Sequence, residues 1–173
     1  MRAATAADIP ALHALIEGAY RGDAARVGWT HEADLLDGQR TDPGQLAAIL
    51  ADPANTMLVV QAADAMTGCV LVSCRGTHAY LGLLSVRADA QASGLGRALL
   101  AAAEAHGRDA LGHDRIEMTA IRQRPELIAY YERRGYAMTG RTEAFPYGDA
   151  GFGLPRRDDL VLEVMQKLLR FSA

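Results

Sequence analysis

The pattern with the clearest chemical meaning is a pair of glycines, Gly94 and Gly96. They follow an apolar segment that ends at Val86 and precede an alanine-rich run. Glycine has no Cβ, so the backbone at these positions can approach a ligand closely. The first N–H groups of a helix that begins here have no partner within the helix, and they point outward. The segment is therefore suited to bind an anion such as a pyrophosphate.

Two other phosphate-binding motifs do not fit this segment. The dinucleotide fingerprint G-x-G-x-x-G requires a third glycine where this sequence has Leu99, and Asp114 is too isolated to serve as the ribose-binding acid. No G-K-[ST] follows the glycines, as a Walker A loop would require. A nucleotide-binding or oxidoreductase domain, and a plain strand-to-helix turn, stay open as alternatives.

A second segment with chemical potential is Ala129-Tyr130-Tyr131-Glu132-Arg133-Arg134-Gly135-Tyr136. Pro125 suits the first position of a helix that runs through this segment, and Gly135 suits its end. Aromatic residues at helical spacing usually pack into a core. Core packing is therefore the interpretation of Tyr131 that the pattern alone favours.

Taken together, the two segments resemble the GNAT family of N-acetyltransferases. The run Gln91-x-x-Gly94-x-Gly96, after a strand that ends Leu84-Ser85-Val86, is similar to the family's acetyl-CoA signature, Q/R-x-x-G-x-G/A. The later segment is similar to the family's F-Y-E-x-x-G-F/Y helix. Both occur in the family's order, with a predicted strand at 115–121 between them. The resemblance covers most of the chain from Met57 onward.

The order of predicted elements indicates an α/β mixture rather than a strict alternation of strands and helices. The resemblance implies one domain over residues 1–173. Its fold is a GNAT fold with a central mixed, mostly antiparallel sheet, helices on both faces and a cleft between splayed strands. Periodicity predicts a short helix from Thr30 to Leu36. It also predicts a long helix that follows the Gly94-x-Gly96 segment and ends at about Asp109. The predicted strands are 57–60, 68–74, 79–86, 115–121, 136–141 and 160–165.

The resemblance also implies acetyl-CoA as cosubstrate. Backbone N–H groups of 91–97 would hold its pyrophosphate, and the strand around Leu84 and Val86 would pair with its pantetheine arm. Tyr131 matches the tyrosine that often faces the thioester sulfur. The residues so assigned to acetyl-CoA are Leu84, Ser85, Val86, Gln91, Ala92, Ser93, Gly94, Leu95, Gly96 and Arg97.

The implied reaction is direct attack of a primary amine on the thioester in a ternary complex. Deprotonating a lysine-like amine at pH 7 costs about 4.6 kcal/mol, so a base or an ordered water chain must take the proton. The candidate bases are Glu32, Asp34 and His78. Proton transfer from a tyrosine to the leaving thiolate is uphill by about 2 kcal/mol. Tyr131 would therefore need a depressed pKa, a concerted transfer, or a role as hydrogen-bond donor.

The acceptor is expected to bind between the N-terminal segments and the loop before the last strand. Those segments hold Tyr20, Trp29, Thr30, Glu32, Arg40, Phe145, Tyr147 and Phe152, of which Trp29, Glu32 and Tyr147 are the candidate substrate contacts. Trp29 could equally cap the core. The acceptor stays open among a small amine, an amino acid, an antibiotic and a protein. A non-catalytic acyl-CoA-binding sensor or scaffold is the alternative function.

Composition and sequence pattern further limit the classes of partner, cofactor and location that we expect. The chain has 18 Lys and Arg against 21 Asp and Glu, so it lacks the basic excess of nucleic-acid-binding proteins. No apolar run approaches the roughly 20 residues of a membrane span, and the N-terminus lacks a signal peptide, so a cytoplasmic location is expected. The cysteines and histidines lack metal-ligand spacing, so no metal is expected. A homodimer is common in folds of this kind.

Overall fold

The computed structural model describes residues 1–21, 32, 34–62, 65–91 and 93–170. These residues form four α-helices and nine strands. The helices are α1 (Ile9–Tyr20), α2 (Pro43–Ala51), α3 (Leu95–Ala105) and α4 (Pro125–Glu132). The strands are β1 (Arg2–Ala3), β2 (Leu36–Asp37), β3 (Asn55–Ala62), β4 (Ala65–Arg75), β5 (His78–Val86), β6 (Arg115–Ile121), β7 (Ala137–Ala144), β8 (Leu154–Pro155) and β9 (Val161–Leu168).

Seven of the strands form one sheet in the order β1-β3-β4-β5-β6-β9-β7. Every neighbouring pair in it is antiparallel except β5 and β6, which are parallel. Strands β2 and β8 form a separate antiparallel pair. The predicted mixed, mostly antiparallel sheet is confirmed.

Apolar side chains alternate between the two faces of the sheet, and helices cover both faces. On one face, α1 and α2 pack against β3 and β4 through Leu12, Leu15, Ile16, Leu46, Met57, Val59, Met66, Cys69 and Leu71. On the other face, α3 and α4 pack through Val70, Val72, Leu81, Leu99, Leu100, Ala103, Ile116, Met118, Tyr131 and Met165. The faces alternate at Cys69, Val70, Leu71 and Val72, as the period of a strand requires.

The centre of the sheet carries two irregularities. The register between β4 and β5 shifts between Cys69 and Leu71, and Leu83 in this bulge has a φ of +48°. Strands β5 and β6 pair at Ala79–Ile116 and Tyr80–Glu117, close to the start of each strand. No further pairing between them follows in the described residues. The predicted splay between these two strands is therefore present.

The predicted short helix from Thr30 to Leu36 is wrong where the structure describes it. Leu36 and Asp37 form β2, which pairs with Leu154 and Pro155 of β8. Leu36 is buried in a small cluster with Ile121, Phe145 and Leu160. Burial of one leucine against distant residues outweighs the local helical pattern. Thr30 lies outside the described residues.

None of the helices in the described parts of the chain is long and apolar enough to cross a membrane. Cys69 and Cys74 are both free thiols. They lie on opposite faces of β4, as their odd spacing predicts, and Cys74 is only partly buried.

Gly68 of β4 lies where α3 meets the sheet most closely. A Cβ at this position would stand 2.7 Å from Cδ1 of Leu99, which is fully buried, and 3.3 Å from the carbonyl oxygen of Ser85. Gly68→Ala is expected to lower the free energy of unfolding by about 1–3 kcal/mol, because the helix must move away from the sheet. Urea unfolding would measure the change.

Gly18, inside α1, is the matched control because a Cβ there meets nothing within 4 Å. Gly18→Ala is expected to raise the free energy of unfolding by roughly 0.5–1 kcal/mol through helix propensity. Equal effects of the two substitutions would contradict the packing described between α3 and β4.

Candidate active site

A cavity of about 710 Å³ lies between α3 and α4, at the end of β5 where β5 and β6 have separated. Its lining contains eight of the eleven residues assigned from the sequence to acetyl-CoA or catalysis, namely Leu84, Val86, Gln91, Ser93, Gly94, Gly96, Arg97 and Tyr131. Ser85 and Leu95 are not among the lining residues, and Ala92 lies outside the described residues. The two sequence motifs thus meet at one site.

The loop before α3 is held in place by its own polar side chains. The Gln91 amide donates a hydrogen bond to the carbonyl oxygen of Val86 at 3.2 Å. The Ser93 hydroxyl donates to the carbonyl oxygen of Ala90 at 2.6 Å. Gly94 precedes the first helical residue with a φ of +85°, a conformation that L side chains rarely adopt. The loop therefore presents the N-terminus of α3 to the cavity.

Gly96 allows α4 to approach α3 closely. A Cβ at this position would stand 3.2 Å from the Tyr130 hydroxyl and 3.7 Å from Cγ2 of Val86. A larger side chain would push on Tyr130 and narrow the cavity. The absence of side-chain atoms at Gly96 thus helps to shape the space beside the helix N-terminus.

The two neighbours that do not line the cavity have supporting positions. The Ser85 side chain is almost fully buried, and its hydroxyl donates to the carbonyl oxygen of Leu83 at 3.2 Å. That hydrogen bond lies within the bulge of β5. Leu95 packs against the core beneath α3. Both residues stabilise the backbone that bounds the cavity.

The cavity wall is rich in cationic side chains. Arg97, Arg124, Arg133 and Arg134 line it, against one lining carboxylate, Glu126. Arg124 is only 4% exposed, and its Nε donates to Glu126 Oε1 at 3.0 Å. Such an excess of positive charge favours a negatively charged ligand.

Arg134 is fixed against the neighbouring tyrosine on α4. Its Nη1 donates to the carbonyl oxygen of Tyr130 at 2.7 Å, and its Cζ lies 3.3 Å from the centre of the Tyr130 ring. Its buried Nε has no hydrogen-bond partner among the described residues. Arg124 and Arg134 were not predicted as site residues, because Arg124 lies outside the two motifs, Arg134 occupies a variable position of the second, and both reach the cavity through the placement of α4.

Tyr131 belongs both to the core and to the cavity wall. Its side chain is 5% exposed and packs edge-on against Tyr130 and Tyr136, with ring centres 5.3 and 5.6 Å away. Burial, which disfavours the phenolate, raises the pKa of Tyr131 far above its usual value of about 10. The phenol therefore keeps its proton at physiological pH, and the depressed pKa considered from the sequence is wrong.

Tyr20, at the end of α1, reaches the bulge of β5. Its hydroxyl donates to the carbonyl oxygen of Leu84 at 2.8 Å, and burial raises the pKa of Tyr20 to about 12. Tyr20 also lines the cavity. It thus joins the N-terminal helix to the end of the cavity that Leu84 bounds.

The structure does not bring the candidate bases into the cavity. Glu32 Oε2 accepts a hydrogen bond from Arg21 Nη1 at 2.7 Å, in a nearly buried ion pair. Asp34 is exposed. His78 begins β5, six residues before Leu84, which corresponds to about 20 Å along a strand. None of these three residues lines the cavity.

Two of the candidate acceptor contacts, Glu32 and Tyr147, are not among the residues that line the cavity. Tyr147 is half-exposed, its hydroxyl accepts a hydrogen bond from the Leu160 N–H at 2.7 Å, and its ring packs on Phe145. Glu32 is engaged by Arg21. Trp29 lies outside the described residues. Contact of Tyr147 with an acceptor stays a prediction, and its observed partners are the loop and the start of β9.

The raised pKa of Tyr131 has a consequence for stability. The unfolded phenol, with a pKa of about 10, ionises at a lower pH than the buried one, so the free energy of unfolding falls as pH rises above about 10. Between about pH 8 and about pH 11, the free energy of unfolding of Tyr131→Phe is expected to fall by about 1.4 kcal/mol less than that of the parent protein. Urea unfolding at both pH values would measure this, the lower pH giving the packing effect alone. Equal losses would contradict the burial described.

Comparison with known proteins agrees with the fold. A family model described as an acetyltransferase (GNAT) domain matches residues 32–146. No curated protein matches the chain significantly. Among solved structures, the ribosomal-protein-S18-alanine N-acetyltransferase from Escherichia coli is 15% identical, with a TM-score of 0.70 over 99% of this chain and 94% of its own.

Two further solved structures have the same fold. A spermidine N-acetyltransferase chimera from Vibrio cholerae and hSSAT is 18% identical, with a TM-score of 0.67 over 97% of this chain and 93% of its own. A Bacillus anthracis protein, described as a streptothricin acetyltransferase and solved in complex with acetyl coenzyme A, is 14% identical. Its TM-score is 0.58 over 72% of this chain and 68% of its own. Because the family model spans well over half of the sequence, the chain belongs to the GNAT acetyltransferase family.

Proposed function

We propose that the protein transfers an acetyl group from acetyl-CoA to a primary amine by direct attack in a ternary complex. One observation supports this above the others. A single cavity joins the N-terminus of α3, a group of arginines, the separated end of β5 and the hydroxyl-bearing side chain of Tyr131. We infer that residues 1–173 act as one domain, because the central sheet takes strands from both ends of the chain.

The pyrophosphate of acetyl-CoA would bind at the start of α3. Backbone N–H groups from Ser93 to Arg97 face this region without helical partners, and they carry the positive end of the helix dipole. Gly94 and Gly96 leave the approach open. Arg97 and Arg134 would add positive charge, and their N–H groups could donate hydrogen bonds to phosphate oxygens.

The pantetheine arm would lie along β5. After Tyr80 the edge of β5 that faces β6 makes no strand pairing in the described residues. The carbonyl oxygens of Leu84 and Val86 already accept hydrogen bonds from Tyr20 and Gln91, so the ligand would use the remaining hydrogen-bonding capacity of this backbone. An extended ligand with its own amides can add to such an edge as a further strand does. The thioester would then lie near the bulge and near Tyr131.

In the reaction, the amine nitrogen bonds to the thioester carbonyl carbon and the carbon–sulfur bond then breaks. Backbone N–H groups at the bulge of β5 would stabilise the oxyanion. Tyr131 would donate a hydrogen bond to the departing sulfur. Since its pKa is raised, complete transfer of its proton to the thiolate is unfavourable, and hydrogen bonding is the role that fits.

The proton of the attacking amine would leave through water. Glu32 is held by Arg21 and His78 lies about 20 Å along the strand, so neither is placed to accept it. A water chain from the cavity to solvent meets the requirement without a dedicated base. The alternative function, a non-catalytic acyl-CoA sensor or scaffold, would use the same cavity without turnover.

Gly94→Glu places a side chain and a negative charge beside the expected pyrophosphate. We expect isothermal titration calorimetry to give micromolar acetyl-CoA binding by the parent protein and at least a hundredfold loss in this variant. Gly112→Glu is the matched control, because Gly112 also has a positive φ of +71° and a Cβ there meets nothing within 4 Å. Loss of binding in both variants, or binding of NAD in place of acetyl-CoA, would contradict the proposal.

Tyr131→Phe removes the hydroxyl and keeps the ring. If Tyr131 assists the departing thiolate, kcat is expected to fall by about 10- to 100-fold while the Kd for acetyl-CoA stays within about twofold. Tyr136→Phe is the control, since Tyr136 is the buried neighbour of Tyr131 and is not among the residues that line the cavity. An unchanged kcat would assign Tyr131 to packing, and binding without any turnover of amines would favour the sensor.

A further inference from the structure

Two arginines and the Glu32 carboxylate lie near Tyr20, at one end of the cavity. The guanidinium of Arg40 lies 5.3 Å from the centre of the Tyr20 ring, and the nearly buried Arg124 lines the same cavity as Tyr20. The positive charges of both arginines act on the Tyr20 hydroxyl. That hydroxyl bonds to the carbonyl oxygen of Leu84, which bounds the cavity. Arg40 is not among the residues that line the cavity, and Tyr20 is the residue that contacts both Arg40 and the carbonyl oxygen of Leu84.

Arg40 differs from the other cations of this region in its partners. Its guanidinium is held between two aromatic rings, Tyr20 at 5.3 Å and Phe152 at 5.9 Å. No carboxylate among the described residues bonds to it. Phe152 is 43% exposed, and Arg40 itself is partly exposed. The Arg40 guanidinium is thus held by two aromatic rings and has no carboxylate partner in the described part of the chain.

The acidic residues nearby are committed to other groups. Glu17 accepts hydrogen bonds from the backbone N–H groups of Arg40 and Thr41 at 2.7 and 2.8 Å. Glu32 is paired with Arg21, and Glu126 with Arg124. Each of these carboxylates therefore has a partner, whereas the Arg40 guanidinium has no carboxylate partner among the described residues.

We propose that the acceptor is an amine that also carries a carboxylate, and that Arg40 binds this carboxylate on the acceptor side of Tyr20. The inference rests on the proposed acetyltransferase function and adds its substrate class. A planar guanidinium binds a carboxylate through two parallel hydrogen bonds, and its stacking on Tyr20 and Phe152 holds it in one orientation. Arg40 is then the residue that determines specificity.

The test is an acetylation assay with matched acceptors, read as release of free CoA thiol. Each amino acid of a panel is compared with its own carboxamide, and spermidine serves as a polycationic acceptor. In the parent protein, kcat/KM for the best acid is expected to exceed that for its amide by about tenfold or more. In Arg40→Gln the acid is expected to lose about tenfold in kcat/KM while the amide changes less than about twofold.

Two further variants test whether the change in acid preference is specific to the loss of the Arg40 guanidinium. Arg40→Lys keeps the charge and is expected to retain part of the preference for the acid. Arg108→Gln removes an exposed guanidinium that bonds to Asp109 and is expected to leave the preference unchanged. Melting temperatures of all variants show whether each is folded.

The outcomes separate this inference from the function on which it rests. If the protein binds acetyl-CoA but acetylates amides or spermidine as well as acids, or acetylates no carboxylate-bearing amine, the inference is overturned and the acyl-CoA site stands. An acid preference that persists in Arg40→Gln also overturns it. If acetyl-CoA does not bind at all, the proposed function fails first.

Discussion

The arrangement of the site depends on how far β5 and β6 pair. The two strands are parallel and bond at two residue pairs near their starts, after which they separate. The separation leaves one edge of β5 without a strand partner and opens the cavity between α3 and α4. The bulge at Leu83 turns the end of β5 and is held by Ser85 and by the Tyr20 hydroxyl on Leu84. A sheet that stayed paired would fill the space where the ligand is proposed to bind.

Positively charged side chains are found toward both ends of the cavity. Arg134 stacks on Tyr130, whose hydroxyl lies beside Gly96 of α3, and the charge of Arg124 acts on Tyr20. Arg97 and Arg133 also line the cavity. Tyr131 is neutral because burial disfavours its anion. The packing of Tyr131 on Tyr130 and Tyr136 is what produces this burial. The buried position of Tyr131 therefore accounts both for the packing of its ring in the core and for the neutral hydroxyl that we propose to bond to sulfur.

The motifs could be predicted from the sequence because their conformations depend on residues that are close together in the chain. The glycines at 94 and 96, the proline at 125 and the apolar spacing of β4 follow from backbone freedom and periodicity. The failures involve distant contacts. The helix predicted up to Leu36 is replaced by a strand because Leu36 packs against Phe145 and Leu160, and Arg124 joins the site because the fold of α4 directs it there. Glu32 is a plausible base in sequence and an ion-pair partner of Arg21 in the fold.

The most direct test of the account is a crystal structure of the protein with acetyl-CoA bound. The account predicts the pyrophosphate on the backbone N–H groups that begin α3, the pantetheine arm along β5, and the thioester sulfur within hydrogen-bond distance of the Tyr131 hydroxyl. It would be contradicted if acetyl-CoA lay outside the cavity between α3 and α4, or if it lay inside with its sulfur turned away from Tyr131.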